Sequence, residues 1–106
     1  MNSGFTYILS NKTRTTFYIG VTNDIERRIY EHKTGIGSLF TSKYKLTDLL
    51  LYEYYDNIDS AIEREKQLKN WHREWKINLI KKTNPELVDL TCTDFDFVQE
   101  DFVIDN

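Results

Sequence analysis

TTFYIGVTNDIERRIYEH, residues 15–32, changes its period partway through. Thr15 to Val21 is β-branched and aromatic, the composition of a half-buried strand. From Ile25 the apolar residues fall at helical spacing, with Ile29 four positions on. Asn23 or Asp24 supplies a cap between the two, with Glu26 placed for a capping-box-like start. A strand that turns straight into a helix is therefore predicted. The stretch also carries three polar groups that no core requires: Tyr18 before the turn, and Arg28 and His32 one helical turn apart beyond it.

Working outward, Phe5 to Ser10 reads as a preceding strand, joined to the first by the polar NKTR. A turn centred on Lys12-Thr13 sets Tyr7 opposite Tyr18, although Lys-Thr is not a favoured two-residue turn and a longer loop shifts that register. Residues 34–47 have no period and read as a loop. Asp48 to Tyr55 reads as a third strand, and its unbroken LLLY run predicts a central position. Ser60 with Glu63 forms a capping box opening a second helix through AIEREKQLKNW. A break near Asn70 to Arg73 leads to a third helix that Asn84-Pro85 stops by Thr83. The sum is an α+β domain of three strands and three helices over residues 1–90, with a tail at 91–106.

Helical geometry locates the polar oddities. At about 100° per residue, with Ile25 at about 0°, His32 and Arg28 fall at about 340° and 300°, bordering the apolar stripe, and Arg27 falls at about 200°, facing away. On the second helix, with Ile62 at about 0°, Glu65 falls at about 300°, inside the apolar arc. A carboxylate there requires a cation, either Arg28, Lys69 or a metal ion such as Mg²⁺.

Composition bounds the rest. The chain has 106 residues, 40% hydrophobic, as expected of one folded domain. Cys92 is the single cysteine, which excludes an intrachain disulfide and a cysteine-based zinc site. The first residues lack the pattern of a signal peptide, and no apolar run reaches membrane-spanning length, so a soluble, cytoplasmic protein without a membrane partner is expected. The net charge of -3 hides an asymmetry. Residues 1–85 hold all 14 Lys and Arg against 10 acids, while residues 86–106 hold 7 acids and no base. The body is mildly basic and suits a polyanionic partner.

Tyr7, then Tyr18-Ile19-Gly20, then Arg28, Glu65 and the surrounding YILSNKTRTTFYIGVTNDIERRIYEHKTG and AIEREKQLKNWHREWKINLIKKTNPELVDL resemble the GIY-YIG nuclease superfamily, in particular its small single-domain endonuclease group. The resemblance covers about residues 5–90. It implies a small three-stranded antiparallel sheet flanked by about three helices. It also implies a divalent-metal-dependent endonuclease that hydrolyses phosphodiester bonds in DNA, structure- or end-directed, in repair or recombination; RNA is a second possible substrate. The alternative is a nucleic-acid-binding module of the same fold that does not cut.

Residue by residue, the resemblance implies that Tyr7 and Tyr18 are the motif tyrosines, Arg28 the catalytic arginine, and Glu65 the ligand of Mg²⁺ or Mn²⁺. His32 matches a histidine found one turn after the arginine in several members. Phe5-Thr6 replaces the usual Gly-Ile or Gly-Val, Val21 stands where some members have lysine, and a common asparagine falls on Ile77. In the implied mechanism Arg28 donates to the phosphate, and Tyr7, Tyr18 or His32 handles the proton of an attacking water. A phenolate base near neutral pH requires about 3–4 kcal/mol of stabilisation, whereas His32, with an ordinary pKa of about 6.5, requires none. Phe40, Lys43, Tyr44 and Lys45 are candidates for contacts with bases and phosphates.

The tail, TCTDFDFVQEDFVIDN, interleaves acids with large apolar residues and is expected to dock. It would do so in cis, competing with DNA or covering a remote apolar face, or on a second protein.

Overall fold

Strands β1 (Gly4–Ser10) and β2 (Phe17–Thr22) form the expected hairpin in the computed structural model, which describes residues 2–93. Its register is shifted from the expected one. Tyr7 faces Gly20, and Tyr18 faces Leu9. The connection is longer than a two-residue turn: the Asn11 side chain accepts the backbone N–H groups of Thr15 (2.9 Å) and Thr16 (3.2 Å), and Arg14 takes a left-handed φ of 60°. The turn is thereby centred later in the chain. Tyr7 and Tyr18 still share one face, as diagonal rather than opposed neighbours, because pairing moved by an even number of residues.

The third strand, β3 (Asp48–Tyr55), has the expected bounds but not the expected place. All pairings are antiparallel and the order is β2-β1-β3, so β3 lies at an edge and β1 in the centre. The apolar LLLY run has another cause. Pairing slips between Ile8 and Leu9, where Ile8 faces Leu51 and Leu9 faces Leu49, leaving Leu50 as an extra residue. Leu50 and Leu51 then pack into one cluster while Leu49 packs into the other.

Two cores result. On one face of the sheet, α1 (Ile25–Thr34) lays Ile25 and Ile29 against Tyr7, Leu9, Leu46 and Leu49. On the other, Ile8, Ile19, Leu50 and Leu51 pack with Leu68 of α3 (Ile58–Lys69) and Ile80 of α4 (Arg73–Thr83). Thr6 Oγ1 donates to the Ala61 carbonyl at 2.8 Å and fixes α3 to the central strand.

Helix starts refine the expected ones. Asp24, not Asn23, caps α1 by accepting the Arg27 N–H, so Arg27 occupies the position a capping box would give to Glu26. Asn57, not Ser60, caps α3, accepting the Asp59 N–H at 2.8 Å. The segment expected to be a loop contains α2 (Leu39–Lys43), opened by Ser38, whose hydroxyl accepts the Thr41 N–H at 3.1 Å. The short α5 (Leu90–Thr93) is a further addition. The break after α3 and the stop at Asn84 fall where expected.

Ion pairs tie the β1–β2 connection to β3 and the segment before α5 to α1. Asp48 is held by Lys12 (2.9 Å) and Arg14 (2.8 Å), and Asp89 by Lys33 (2.8 Å) and the Leu49 N–H (3.1 Å). Among the described residues no helix is long and apolar enough to cross a membrane. The expected docking of the tail concerns residues that, beyond 93, lie outside the described ones.

Candidate active site

Directly opposite Tyr7 on the β2 side the sheet has no side chain, only Gly20, while on the β3 side it faces Tyr52. A Cβ on Gly20 would stand 2.5 Å from both Cζ and the hydroxyl of Tyr7 and 2.9 Å from the Tyr18 ring. The glycine makes room for Tyr7 to lie across the sheet, buried, with its hydroxyl 3.3 Å from His32 Nε2 on α1. Tyr18, the diagonal neighbour, places its ring 6.3 Å from Tyr7 and 5.9 Å from His32.

His32 is buried and held at both nitrogens. Its Nδ1 lies 3.1 Å from Thr41 Oγ1, which is 3.1 Å from the Ser38 carbonyl. Thr41 Oγ1 also lies 3.1 Å from the Ser38 hydroxyl, and when the Thr41 proton goes to the Ser38 carbonyl, Thr41 accepts from Nδ1–H. In that arrangement Nε2 carries the lone pair and accepts the Tyr7 O–H. Gly37 clears the space, since a Cβ there would sit 2.7 Å from Nδ1.

Arg28 and Arg27 face as the helical angles predict. Arg27 is exposed, with loose pairings at 4.0 Å to Asp24 and Glu31. Arg28 is half-buried; Nη1 pairs with Glu31 Oε1 at 3.2 Å, while Nε is buried with no hydrogen-bond partner among the described residues. An unpartnered buried donor is costly, and this one belongs to a side chain whose charge acts on both Tyr7 and His32.

Glu65 is half-buried on α3, and of the partners the sequence allowed it has taken Lys69, at 2.9 Å. Its charge is felt at Tyr7. Burial raises the Tyr7 pKa far above the ordinary phenol value, reinforced by Tyr18, Glu31 and Glu65, with only Arg28 opposing. His32 moves the other way: burial, then the Arg28 charge, lower it to about 4, with Glu31 opposing. The sequence expectation that His32 sits at its ordinary pKa is corrected. The imidazole is neutral at pH 7.

Phe40 and Tyr44 extend the ring series outward. Phe40 is 6.1 Å from Tyr18 and 4.8 Å from Tyr44, and Lys43 Nζ lies 5.5 Å over the Tyr44 ring. Leu39 beside them is 91% exposed. Lys45 is exposed, in a left-handed conformation (φ 55°), and lines a cleft with His32 and Thr41 rather than joining the rings. Ile77 and Asn78 are half-buried and exposed, and Asn84, buried, is engaged with the Leu50 and Val88 carbonyls. Gly20, part of the Tyr18-Ile19-Gly20 motif, belongs to the constellation, and so do Glu31, Thr41 and Gly37, which were not singled out in the sequence. Ser38 three residues before Thr41 was the available signal, since it caps a helix that brings Thr41 onto His32.

Among the described residues no three His, Cys, Asp or Glu side chains gather to cage a metal. Glu65 alone fits a hard cation that keeps most of its waters and takes phosphate oxygens as further ligands, which is the habit of Mg²⁺.

Residues 3–78 match the family model described as the GIY-YIG catalytic domain. A UPF0213 protein of Syntrophus aciditrophicus is 36% identical over 87 residues, covering 81% of this chain and 98% of its own length. Another, from Staphylococcus saprophyticus, is 32% identical over 82 residues, covering 77% and 99%. The solution NMR structure of the UPF0213 protein BH0048 from Bacillus halodurans superposes with a TM-score of 0.53 at 26% identity, covering 79% of this chain and 88% of that one. The chain belongs to the GIY-YIG catalytic domain family, whose fold is that of nuclease-type hydrolases.

Proposed function

We propose that the protein is a divalent-metal-dependent endonuclease that hydrolyses DNA phosphodiesters, with Tyr7, Tyr18, Arg28, His32 and Glu65 as its site. The observation that carries this reading is the Tyr7–His32–Thr41 hydrogen-bond chain lying beside the unpartnered Nε of Arg28. A proton path and an anion site are what phosphoryl hydrolysis needs together.

Arg28 receives the non-bridging oxygens of the scissile phosphate on Nε and Nη, a planar fork that suits phosphate. Water attacks phosphorus as the bond to the leaving oxygen breaks. Its proton passes to the Tyr7 oxygen while Tyr7 gives its own to His32 Nε2, so Tyr7 need never exist as a free phenolate. The leaving oxygen takes its proton from solvent. A phosphate on Arg28 also cancels the charge that depresses His32, so substrate binding raises the basicity of the imidazole when it is needed. Tyr18 walls the site and orients the water. Glu65 would hold Mg²⁺ or Mn²⁺, releasing Lys69, and the ion would supply Lewis-acid stabilisation of charge on phosphate and leaving oxygen.

Phe40 and Tyr44 offer ring faces to bases near the cut, and Lys43 and Lys45 charge to the backbone. The proposal extends to recognition of DNA structure or ends, as in repair or recombination in the cytoplasm, with the excess of basic over acidic residues in 1–85 supplying sequence-independent attraction to phosphate. The test is nicking of supercoiled and branched DNA. Cleavage abolished by EDTA and reduced at least about a hundredfold by Glu65→Gln supports the enzyme. Binding without nicking in any divalent metal returns the chain to the non-cutting alternative, and RNA as competitor tests the polymer.

A further inference from the structure

The Arg28–Glu31 pair is built in an unusual way for two side chains that have each other. Arginine and carboxylate favour a forked, two-bond pairing. Here Glu31 takes Nη1 alone, at 3.2 Å, a nitrogen outside the side-on Nε–Nη2 fork, and Nε is buried without a hydrogen-bond partner among the described residues. Glu31 lies three residues after Arg28 on α1, is itself three-quarters buried, and also draws Arg27 at 4.0 Å. Its charge reaches both members of the proton path, supporting protonation of Tyr7 and of His32. The pair is partly exposed, yet both of its charges act on a buried tyrosine and a buried histidine.

Resting on the nuclease reading, we infer that Glu31 is a positioning residue, an anion that holds the Arg28 guanidinium by Nη1 and so keeps its Nε–Nη2 fork for the scissile phosphate beside the Tyr7–His32 pair. The one-bond pairing is suited to that role. It restrains an otherwise rotatable side chain without occupying the fork that a phosphate takes. The carboxylate also repels the incoming phosphate, so the orientation of Arg28 is obtained at the expense of ground-state affinity. That is the arrangement that favours turnover over binding.

The groups facing His32 are Tyr7 on β1, Tyr18 on β2, and Arg28 and Glu31 on its own helix, with Thr41 of α2 at the far nitrogen and Lys12, Lys33 and Lys45 lining the cleft it shares; Glu65 of α3 acts on the Tyr7 end. Of these only Glu31 favours the charged imidazole, so its removal has a defined sign.

The experiment compares Glu31→Gln, which keeps length and removes charge, with Glu31→Asp, which keeps charge. In a Glu65→Gln background that blocks cleavage, fluorescence anisotropy with a labelled branched DNA is expected to give a Kd three- to tenfold tighter for Glu31→Gln and near parental for Glu31→Asp. With Glu65 intact, kcat is expected to fall about tenfold for Glu31→Gln although KM also falls, because Arg28 is no longer held. In the free protein, the NMR titration midpoint of the His32 ring is expected to move to lower pH. All three are required. DNA affinity unchanged or weakened, kcat unchanged, or a His32 midpoint that stays in place overturns the inference. A Glu65→Gln protein that binds no DNA at all sinks the nuclease reading first. Binding that is present but indifferent to Glu31→Gln sinks only the role of Glu31.

Discussion

Tyr7 and Ile8 are neighbours on the central strand, both buried, and they belong to different halves of the molecule. Ile8 points into the α3–α4 core, where Ile19, Leu50, Leu51, Leu68 and Ile80 surround it with hydrocarbon. Tyr7 points into the α1 core, also mostly hydrocarbon, but its hydroxyl meets a buried histidine. One face of the sheet is finished as a core. The other is left polar at its centre and held in register by hydrogen bonds and by absent side chains at Gly20 and Gly37. Burial of polar groups without solvent is costly in stability, so the contrast between the faces indicates where stability has yielded to chemistry.

The largest expected break in that contrast lies at Arg28. Removing one transition-state donor costs roughly a hundred- to a thousandfold in turnover, so Arg28→Ala is expected to lower kcat by at least about a hundredfold while DNA affinity falls only modestly. Arg27→Ala, on the exposed side of the same helix turn, is expected to weaken binding by about twofold or less, as a single screened phosphate contact would. Plasmid-nicking rates with matched anisotropy measurements check both. Equal losses of turnover would remove the distinction between the helix faces.

Next in size, Ile8→Ala is expected to cost about 2–4 kcal/mol of stability, for lost burial and the cavity it leaves. Tyr7→Phe is expected to cost about 1 kcal/mol or less, since one hydrogen bond of modest net worth is lost and the ring stays, yet to reduce turnover about tenfold to a hundredfold. Urea unfolding beside single-turnover cleavage separates the pair. A Tyr7→Phe protein that cuts at the parental rate would make the hydroxyl structural and move the proton path to Tyr18.

How far this contrast was legible in the sequence depended on which forces set each part. The three strands, the break before α4 and the stop at Asn84 follow from local composition and were readable. So was the inward facing of Arg28 and His32, because helical angles are fixed within one element. The hairpin register was not, because it depends on how the Asn11 side chain satisfies two backbone N–H groups in the turn. Nor was the edge position of β3: two-sided coverage and the bulge at Leu50 make an edge strand as apolar as a central one. The role of Thr41 was hidden for a related reason, since a short helix without a clear period reads as loop until Ser38 is recognised as its cap.

Smaller still is an acid effect that should separate the faces by pH. His32 is held neutral by a pKa near 4, below the value of about 6.5 expected unfolded. The unfolded chain therefore binds the extra proton first. The stabilisation from keeping His32 neutral is fully present above about pH 6.5 and is lost as pH falls toward 4, amounting to at most roughly 3 kcal/mol. Asp48 and Asp89 act with the same sign at lower pH. Burial pushes their carboxyls up, but Lys12 and Arg14 on one, and Lys33, Thr91 and the Leu49 N–H on the other, more than offset it and hold both below the usual range. Thermal melts are expected to decline in a first step between pH 6.5 and 4 and again below it. His32→Phe should erase the first step and leave the second; a profile unchanged by that substitution would mean His32 titrates near its ordinary value.

The smallest expected effect tests whether the polar side of the contrast is a proton path or only a packed pair. Thr41→Val keeps shape and removes the hydroxyl that accepts His32 Nδ1–H. The buried nitrogen then lacks a partner, at about 1 kcal/mol or somewhat more, and nothing fixes the proton on Nδ1, so Nε2 is less often the acceptor Tyr7 needs. Turnover is expected to fall about three- to tenfold, the range of a partial loss of one positioned proton acceptor. Ser38→Ala is the control, because it removes the cap of α2 at a similar cost of about 1 kcal/mol while keeping the Ser38 carbonyl that takes the Thr41 proton. The two variants should therefore match in melting temperature and differ in rate. If both lose rate equally, α2 acts through its rigidity. If neither does, the chain from Thr41 through His32 to Tyr7 carries no proton, and the hydroxyl of Tyr7 must exchange with water by another route.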